Sequence, residues 1–472
     1  MKRFVMRPLV TVLCASGLLG STQAMASAFQ LWEQDGASVG NYHAGYAAEA
    51  NDASITWYNP AGITRIKNQQ FVLGGSAIAS DFKYQGSVGV TELSPVFNPF
   101  PIPHFQPVTV NFDSVTAQGG GFSIIPNLQY VAPINDWIGF GFSVDVPFGL
   151  KTSYGTTSPM RYAATLTSIR VVDISPALGM QITDKASVGA GFDIQRAYAE
   201  FDSVAALIDP SPFSINKTVI TSEDTRSTNK ANDTGYGFRL GFMYEFNPCT
   251  RMGISYHSQV VHHFSGSSKF IGPITEIANA EHGGGPIVSS RATTNVKLPP
   301  YTALSVFHKA TPSWAFMGTL VYTQWNTFKT LTLNQVAGLV NDPVTLVAPS
   351  TDIQISIPEN YRNSWNLSLG ANYYPTETII IRSGIGYDQS PVRDRYRNVQ
   401  LPDSDRYALA LGGHFQATKT IGLDVGWSHI FFFGKVKVNP PPQVNGAETV
   451  STNGHVKGGA DVLSGQVTWD IV

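Results

Sequence analysis

The sequence predicts an all-β protein: a transmembrane antiparallel β-barrel of about 14 strands whose lumen holds an N-terminal plug. Three observations carry that reading. Apolar residues alternate with Gly, Ser and Asn through many segments. The links between those segments alternate short with long. A compact Ala- and Asn-rich stretch, ending in "WYNPAG" (57–62), precedes the first strand.

Composition sets the frame. The 472 residues carry a formal charge of -2, and only 14% are charged, against roughly 25% in ordinary soluble domains. Glycine is abundant at 44 residues and aromatics reach 11%, which suits strands and tight turns. A near-neutral balance argues against nucleic acid as a partner, because phosphate binding needs a basic face.

Residues 1–26, "MKRFVMRPLVTVLCASGLLGSTQAMA", read as a secretory signal. Lys2, Arg3 and Arg7 form the positive region, residues 8–20 the short apolar core, and Ala24-Met25-Ala26 the small-x-small cleavage site. The mature chain is then expected to begin at Ser27. Cys14 leaves with the signal, and Cys249, in the turn "NPCT", has no partner for a disulfide. No later apolar run reaches the length of a membrane helix, which excludes a helical bundle but not a barrel.

The strands follow. In 421–428, Ile421, Leu423, Val425 and Trp427 point one way, while Gly422, Asp424, Gly426 and Ser428 point the other. The same alternation runs through 138–146, 187–195, 235–245 and 365–373. A soluble sandwich would show Lys, Glu and Thr on its outer face. Here the second face is Gly, Ser and Asn, which suits the lumen side of a barrel whose outside meets lipid. Short links at 132–136, 182–186, 246–250, 309–313, 374–378 and 417–420 alternate with long ones at 85–118, 149–163, 206–233, 272–292, 330–360, 388–404 and 435–456. With a first strand near 70–84 and a last near 457–472, the turns give about 14 strands. Trp137, Tyr130, Tyr244, Tyr256, Trp314 and Tyr407, near strand ends, fit interfacial girdles.

At the start of the mature chain, "SAFQLWEQDGASVGNYHAGYAAEANDASITWYNPAGIT" resembles the N-terminus of FadL-type outer-membrane transporters of long-chain fatty acids and aromatic hydrocarbons. "KLPPYTALS" (297–305), "YDQSP" and "LPDSDR" carry the likeness through the C-terminal part. The resemblance implies a hatch over residues 27–68 inside a barrel over 69–472. Asp52, Asn59, Pro60 and Ala61 would form its "DA…NPA" gating motif. It also implies capture of ligand by extracellular loops and sideways release at an inward kink of the third strand. Physical reasoning points the same way, because a lumen of this width leaks unless filled. The third strand is placed at 137–149. Its Pro147 and Gly149 either break the ladder and kink the strand or merely end it.

A fatty acid needs a greasy tunnel and a cation or donor for its carboxylate. Arg196, Arg239 and Arg382 are read as lumen-facing, and Lys217, Arg226, Lys230 and Arg406 as loop cations near the mouth. The competing reading pairs such arginines with Asp145, Asp193, Glu245 or Asp424. By the resemblance, Asp388 faces the hatch, and Phe29 and Leu31 form a greasy tip lining the ligand pocket. The link 330–360 holds no Lys or Arg, unlike the corresponding family loop, which leaves room for an uncharged hydrocarbon. The stretch 94–108, rich in Pro and aromatics, is either a ligand-collecting surface or a rigid loop.

Catalysis is not supported. His257, His262 and His263 match no metal pattern, and 257 is expected to share a face with 263 but not with 262. No metal or cofactor is expected. The expectation is therefore a monomeric outer-membrane protein, surrounded by lipid and lipopolysaccharide, that moves long-chain fatty acids. The alternatives are an aromatic hydrocarbon channel of the same family or a general aqueous porin.

Overall fold

The computed structural model describes residues 28–96, 104–211, 214, 216–280, 283–342 and 346–471. The signal expected over 1–26, its cleavage point before Ser27 and part of the stretch 94–108 lie outside these residues. The described chain forms one closed antiparallel barrel of 14 strands. These are β1 (Gln69–Val96), β2 (His104–Gln118 and Phe122–Pro133), β3 (Ile138–Ser153), β4 (Leu166–Gln181), β5 (Ala186–Ala205), β6 (Thr225–Asn247) and β7 (Thr250–His257 and Val260–Ile271). Next come β8 (Ile287–Leu298 and Tyr301–Thr311), β9 (Trp314–Thr323 and Thr330–Asp342), β10 (Leu346–Pro358 and Ser364–Tyr373) and β11 (Ile379–Asp388). β12 (Arg406–Gln416), β13 (Ile421–Phe432) and β14 (Glu448–Ile471) complete the wall. β14 closes onto β1 from Gln69–Ile471 up to Thr91–Thr449.

The outward side chains form an apolar belt that includes Leu73, Leu178, Phe192, Phe238, Leu369, Leu411, Val425 and Leu463, all well exposed to the surroundings. Exposed apolar surface on that scale has no place in water and suits lipid. The short turns stand where the sequence places them. Several long links are not loops: 83–96 pairs with 104–118, and 330–342 pairs with 346–358. A strand leaving the bilayer still has to satisfy its N–H and C=O groups, and its neighbour does so more completely than water. Inward positions there stay apolar, but the outward ones, such as Ser87, Thr91, Thr332, Gln354 and Ser356, are polar, so the two-faced lipid-strand signal fades while the ladder continues.

Two phase expectations are corrected. Arg196 lies outside the barrel: Gln195, Ala197 and Ala199 are buried, while Phe192, Arg196 and Tyr198 face outward. Above the belt the outer face becomes polar, so a charge there does not mark the lumen. In β7 the ladder breaks at Ser258–Gln259, which shifts the phase by one residue. His257 and His262 are consequently both buried and His263 is exposed.

Residues 28–66 lie against the inward wall on every side and are almost wholly buried. A short helix over Ile55–Tyr58 and 3-10 turns over Ser38–Asn41 and Pro60–Arg65 make them compact. The wall glycines acquire a reason from this packing. A Cβ at Gly253 would run into the Ala47 carbonyl, and one at Gly384 into the Asn41 backbone. The bare inner face is therefore the imprint of a second chain segment lying on it.

Candidate functional site

The site begins at β3. Its pairing with β2 covers only Leu128–Val144 to Pro133–Gly139. Beyond Val144, β3 stays paired with β4, but Val146 and Pro147 form a bulge between the pairs Asp145–Asp173 and Phe148–Val171. Proline brings no N–H to a ladder, so the break falls there. Pro147 thus sits within the strand rather than at its end. Above, the Ser153 N–H donates to the Gly119 carbonyl at 3.0 Å and closes the seam again. An opening in the β2–β3 ladder lies between these two closures.

An unpaired strand edge needs partners, and the N-terminal segment supplies them. The Leu31 N–H donates to the Pro147 carbonyl, and the Gly149 N–H donates to the Phe29 carbonyl, both at 2.8 Å. Gln30 and Phe148 form the bridge between them. The Gln34 side chain accepts from the Val146 N–H and donates to its carbonyl, each at 3.0 Å. Pro147 and Gly149, chosen from the sequence, and the tip residues Phe29 and Leu31 therefore meet in one place.

Phe29 stands in an aromatic box. Its ring centroid lies 4.9 Å from Trp325 and 6.0 Å from both Phe148 and Phe328, with Tyr361 closing the far side. Trp325 and Phe328 come from the break in β9, and Tyr361 from the break in β10. The same apolar cluster continues through Leu331, Leu333, Val336, Ile353, Ile355 and Ile357. Five of these, Leu333 to Ile357, also line a cleft at the outer end of the barrel, with Ala205, Ile208 and Phe270. Within the link 330–360, residues 330–342 and 346–358 thus pair antiparallel and form one wall of this cleft. Glu92, Asp202 and Glu448 line it as well, and no Lys, Arg or His does so among the described residues.

The remaining candidates hold the N-terminal segment to the wall. Asn59 caps the turn over Pro60–Arg65: its Oδ1 accepts from the Ala61 N–H at 3.1 Å. Its Nδ2 donates to the Ala47 carbonyl at 2.7 Å and to Phe242 of β6 at 3.1 Å. Pro60 packs on Gly179, Gly189 and Gly241. Asp52 accepts from the Ser54 N–H and from Gln466 of β14, both at 2.9 Å.

The buried candidates Arg239, Arg382 and Arg406 are each paired with a carboxylate. Arg239 meets Asp193 at 3.1 Å and stacks 4.6 Å over the Trp57 ring. Arg382 meets Asp424 at 2.6 Å. Arg406, expected at the mouth, is fully buried at the start of β12, 2.7 Å from Asp403 and 3.5 Å from Asp388. Nothing local in "LPDSDR" announces this burial, because Asp388 lies on the neighbouring strand β11. Asp403 also accepts from the Ala28 N–H at 3.0 Å and the Ser390 hydroxyl at 2.7 Å. The stretches "YDQSP" and "LPDSDR" together therefore hold the N-terminal tip. Of the outer cations, Arg226 pairs with Asp202, Lys230 with Glu200, and Lys217 donates to the Asp209 carbonyl. Sequence reasoning missed Gln34, Trp325, Tyr361 and Asp403. Their partners lie up to 375 residues away, as Ala28 does from Asp403, so no local pattern announces them.

A closed barrel with a lipid-facing belt, an occupied lumen and an apolar cluster reaching an outer cleft has the architecture of an outer-membrane transport protein. The family model described as "Outer membrane protein transport protein (OMPP1/FadL/TodX)" matches residues 17–470, and the chain belongs to that family. It is 27% identical over 433 residues to the long-chain fatty acid transport protein of Salmonella typhi, covering 89% of this chain and 91% of that one. It is 28% identical over 448 residues to outer membrane protein P1 of Haemophilus influenzae, covering 91% and 90%. In fold it is similar to a Pseudomonas aeruginosa FadL homologue, with a TM-score of 0.76 at 24% identity over 94% of this chain and 99% of the other. It is also similar to the Ralstonia pickettii toluene transporter TbuX, with a TM-score of 0.60 at 15% identity over 94% and 100%. Family members are transporters and channels rather than enzymes.

Proposed function

We propose that this protein carries hydrophobic compounds inward across the outer membrane, from the outer cleft through the aromatic box to sideways release at the β2–β3 opening. Residues 27–68 act as the plug. The observation that carries this reading is the continuity of one apolar cluster. It runs from the cleft wall at Leu333 and Ile355 to the box around Phe29, which abuts the bulge of β3. Phe29 occupies the box as a ligand ring would, so passage requires the N-terminal tip to leave its bonds to Pro147 and Gly149. Arg239, Arg382 and Arg406 hold plug and wall, and they do not meet the ligand.

The relatives named for fatty acids and the neighbour named for toluene leave two substrate classes. The cleft favours ligand in uncharged form, because among the described residues its lining holds Glu92, Asp202 and Glu448 but no cation, and burying a lone carboxylate beside them is unfavourable. Neutral hydrocarbons and protonated fatty acids both meet that condition. Uptake of labelled oleate and labelled toluene is measured in cells lacking their own transporter, with single-channel conductance alongside. Uptake with negligible ion current supports the reading, and oleate uptake is expected to rise as pH falls while toluene uptake does not. A steady open conductance with no uptake of either compound would mean an aqueous porin.

A further inference from the structure

The outer wall of β3 to β8 carries a feature that the transport path does not use. Just above the apolar belt lies a trough lined by Lys151, Ser168, Arg170, Tyr198, Glu200, Lys230, Ser267 and Ser290. A barrel wall is convex, so a concavity there is unusual. Strand register explains how it is built. Lys151 lies opposite Ser168, which lies opposite Glu200, which lies opposite Lys230 and then Ser267. One step lower, Arg170 faces Tyr198. The short residues Ser168, Ser267 and Ser290 form the floor, and the long cationic side chains stand around it.

Charge there is one-sided. Lys151, Arg170 and Lys230 line the trough, Arg196 and Lys269 flank it, and Glu200 is its only acid among the described residues, paired with Lys230 at 2.8 Å. The arginines lie over an aromatic ring at the belt edge: Arg170 at 5.0 Å and Arg196 at 5.4 Å from the Tyr198 centroid. Directly below run Ile174, Ile194, Phe192, Tyr236 and Phe238 on the outward face. Four residues of strand, from Arg170 to Ile174, span roughly 13 Å. On the opposite wall, Lys83 and Lys457 face each other on β1 and β14 with Asp81 and Asp461 nearby on the same face.

We propose that this trough binds a phosphorylated glycolipid of the outer leaflet, its sugar phosphates held by Lys151, Arg170 and Lys230 and its acyl chains laid over the apolar belt below. Cations at headgroup depth above continuous lipid-facing hydrocarbon match a molecule that is anionic at one end and multiply acylated at the other. Guanidinium groups bind phosphate in a planar, two-toothed manner, and the ammonium groups add charge. A soluble phosphate would use the cations but gain nothing from the belt.

The test uses the full chain purified in detergent, with Arg170→Gln/Lys230→Gln as the trough variant and Lys83→Gln/Lys457→Gln as the control. All four side chains face outward, so both variants are expected to fold. Lipopolysaccharide retained per protein is measured after washing. The midpoint of heat-induced barrel unfolding is then recorded with added lipopolysaccharide, with its dephosphorylated form and with inorganic phosphate. The expected result is at least a fivefold loss of retained lipopolysaccharide in the trough variant only. Stabilisation of the wild type by intact lipopolysaccharide, but not by the dephosphorylated form or by phosphate alone, is expected with it. Equal retention by wild type, trough variant and control would overturn the proposal. So would a trough variant that loses only its response to inorganic phosphate.

Discussion

Two seams of the barrel show what a strand needs in order to open. β1 and β14 are the ends of the barrel in sequence, yet they pair without a break from Gln69–Ile471 to Thr91–Thr449. β2 and β3 are joined by a short turn, yet their ladder stops at Leu128–Val144. Closeness along the chain therefore does not decide closure. At the open seam a proline withholds one donor, a bulge turns the strand, and the N-terminal tip takes over the exposed edge at Pro147 and Gly149. The edge is sealed by a segment outside the barrel ladder, and the proposed release requires that segment to leave.

The contrast can be broken most directly by making that partner permanent. Gln30 and Phe148 form a bridge flanked by the Leu31–Pro147 and Gly149–Phe29 bonds. Such non-hydrogen-bonded pairs bring Cα atoms to about 4.5 Å, within disulfide range. Gln30→Cys/Phe148→Cys, made with the exposed Cys249 changed to Ser, should lose tenfold or more of its uptake on oxidation and regain it with reductant. Full uptake by verified cross-linked protein would take the N-terminal tip out of the path.

Loosening the plug without touching the seam should be next in size. Gly253→Val places a side chain against the Ala47 carbonyl. Planar-bilayer recordings should then show steady conductance steps that the wild type lacks. Buried pairing comes third. Arg239→Ala strands Asp193 inside the barrel, and breaking such a pair costs about 3–5 kcal/mol. Urea unfolding in lipid vesicles should show that loss, and Arg239→Met/Asp193→Leu should recover most of it.

Supplying the missing donor sharpens the comparison from the other side. Pro147→Ala should let β3 approach a regular ladder, lowering uptake by a few-fold while the barrel becomes somewhat harder to unfold. Unchanged uptake at equal expression would show that the bulge persists without proline.

The smallest effect concerns pH. Glu359, in the break of β10, is buried, and burial raises its carboxyl to about 7. Asn398 donates to it at 3.0 Å. A carboxyl raised in the folded state favours folding most at low pH, and that contribution is lost as pH climbs from the ordinary carboxylate range towards 7. Packing of the 359–363 segment should thus loosen between about pH 5 and about pH 8. Limited proteolysis should detect this, and Glu359→Gln should flatten the dependence.

Much of this was legible because a barrel strand has a strict period. Ile421 to Ser428 declares two faces with no help from its neighbours, and turns such as 417–420 declare themselves by composition. Pro147 was legible as a place where a ladder fails, but not as a bulge, because proline at a strand end reads the same. Arg196 is not legible from polarity alone, because above the belt the outer face turns polar while the inward neighbours Ala197 and Ala199 are apolar. His262 was misplaced because a single break at Ser258–Gln259 reverses the phase of everything after it.

What the sequence determined by itself is therefore local and periodic: strand existence, the short turns, the lipid-facing belt and the glycine-lined inner face. Only the tertiary structure decided that Arg239, Arg382 and Arg406 are consumed in ion pairs, that Phe29 stands among Trp325, Phe328 and Phe148, and that Asp403 holds the tip at Ala28. The reason is geometric. Side-chain direction along a strand is set by neighbouring residues. Which side chains meet across a closed lumen is set by strand register and by the path of a segment lying on all the strands at once.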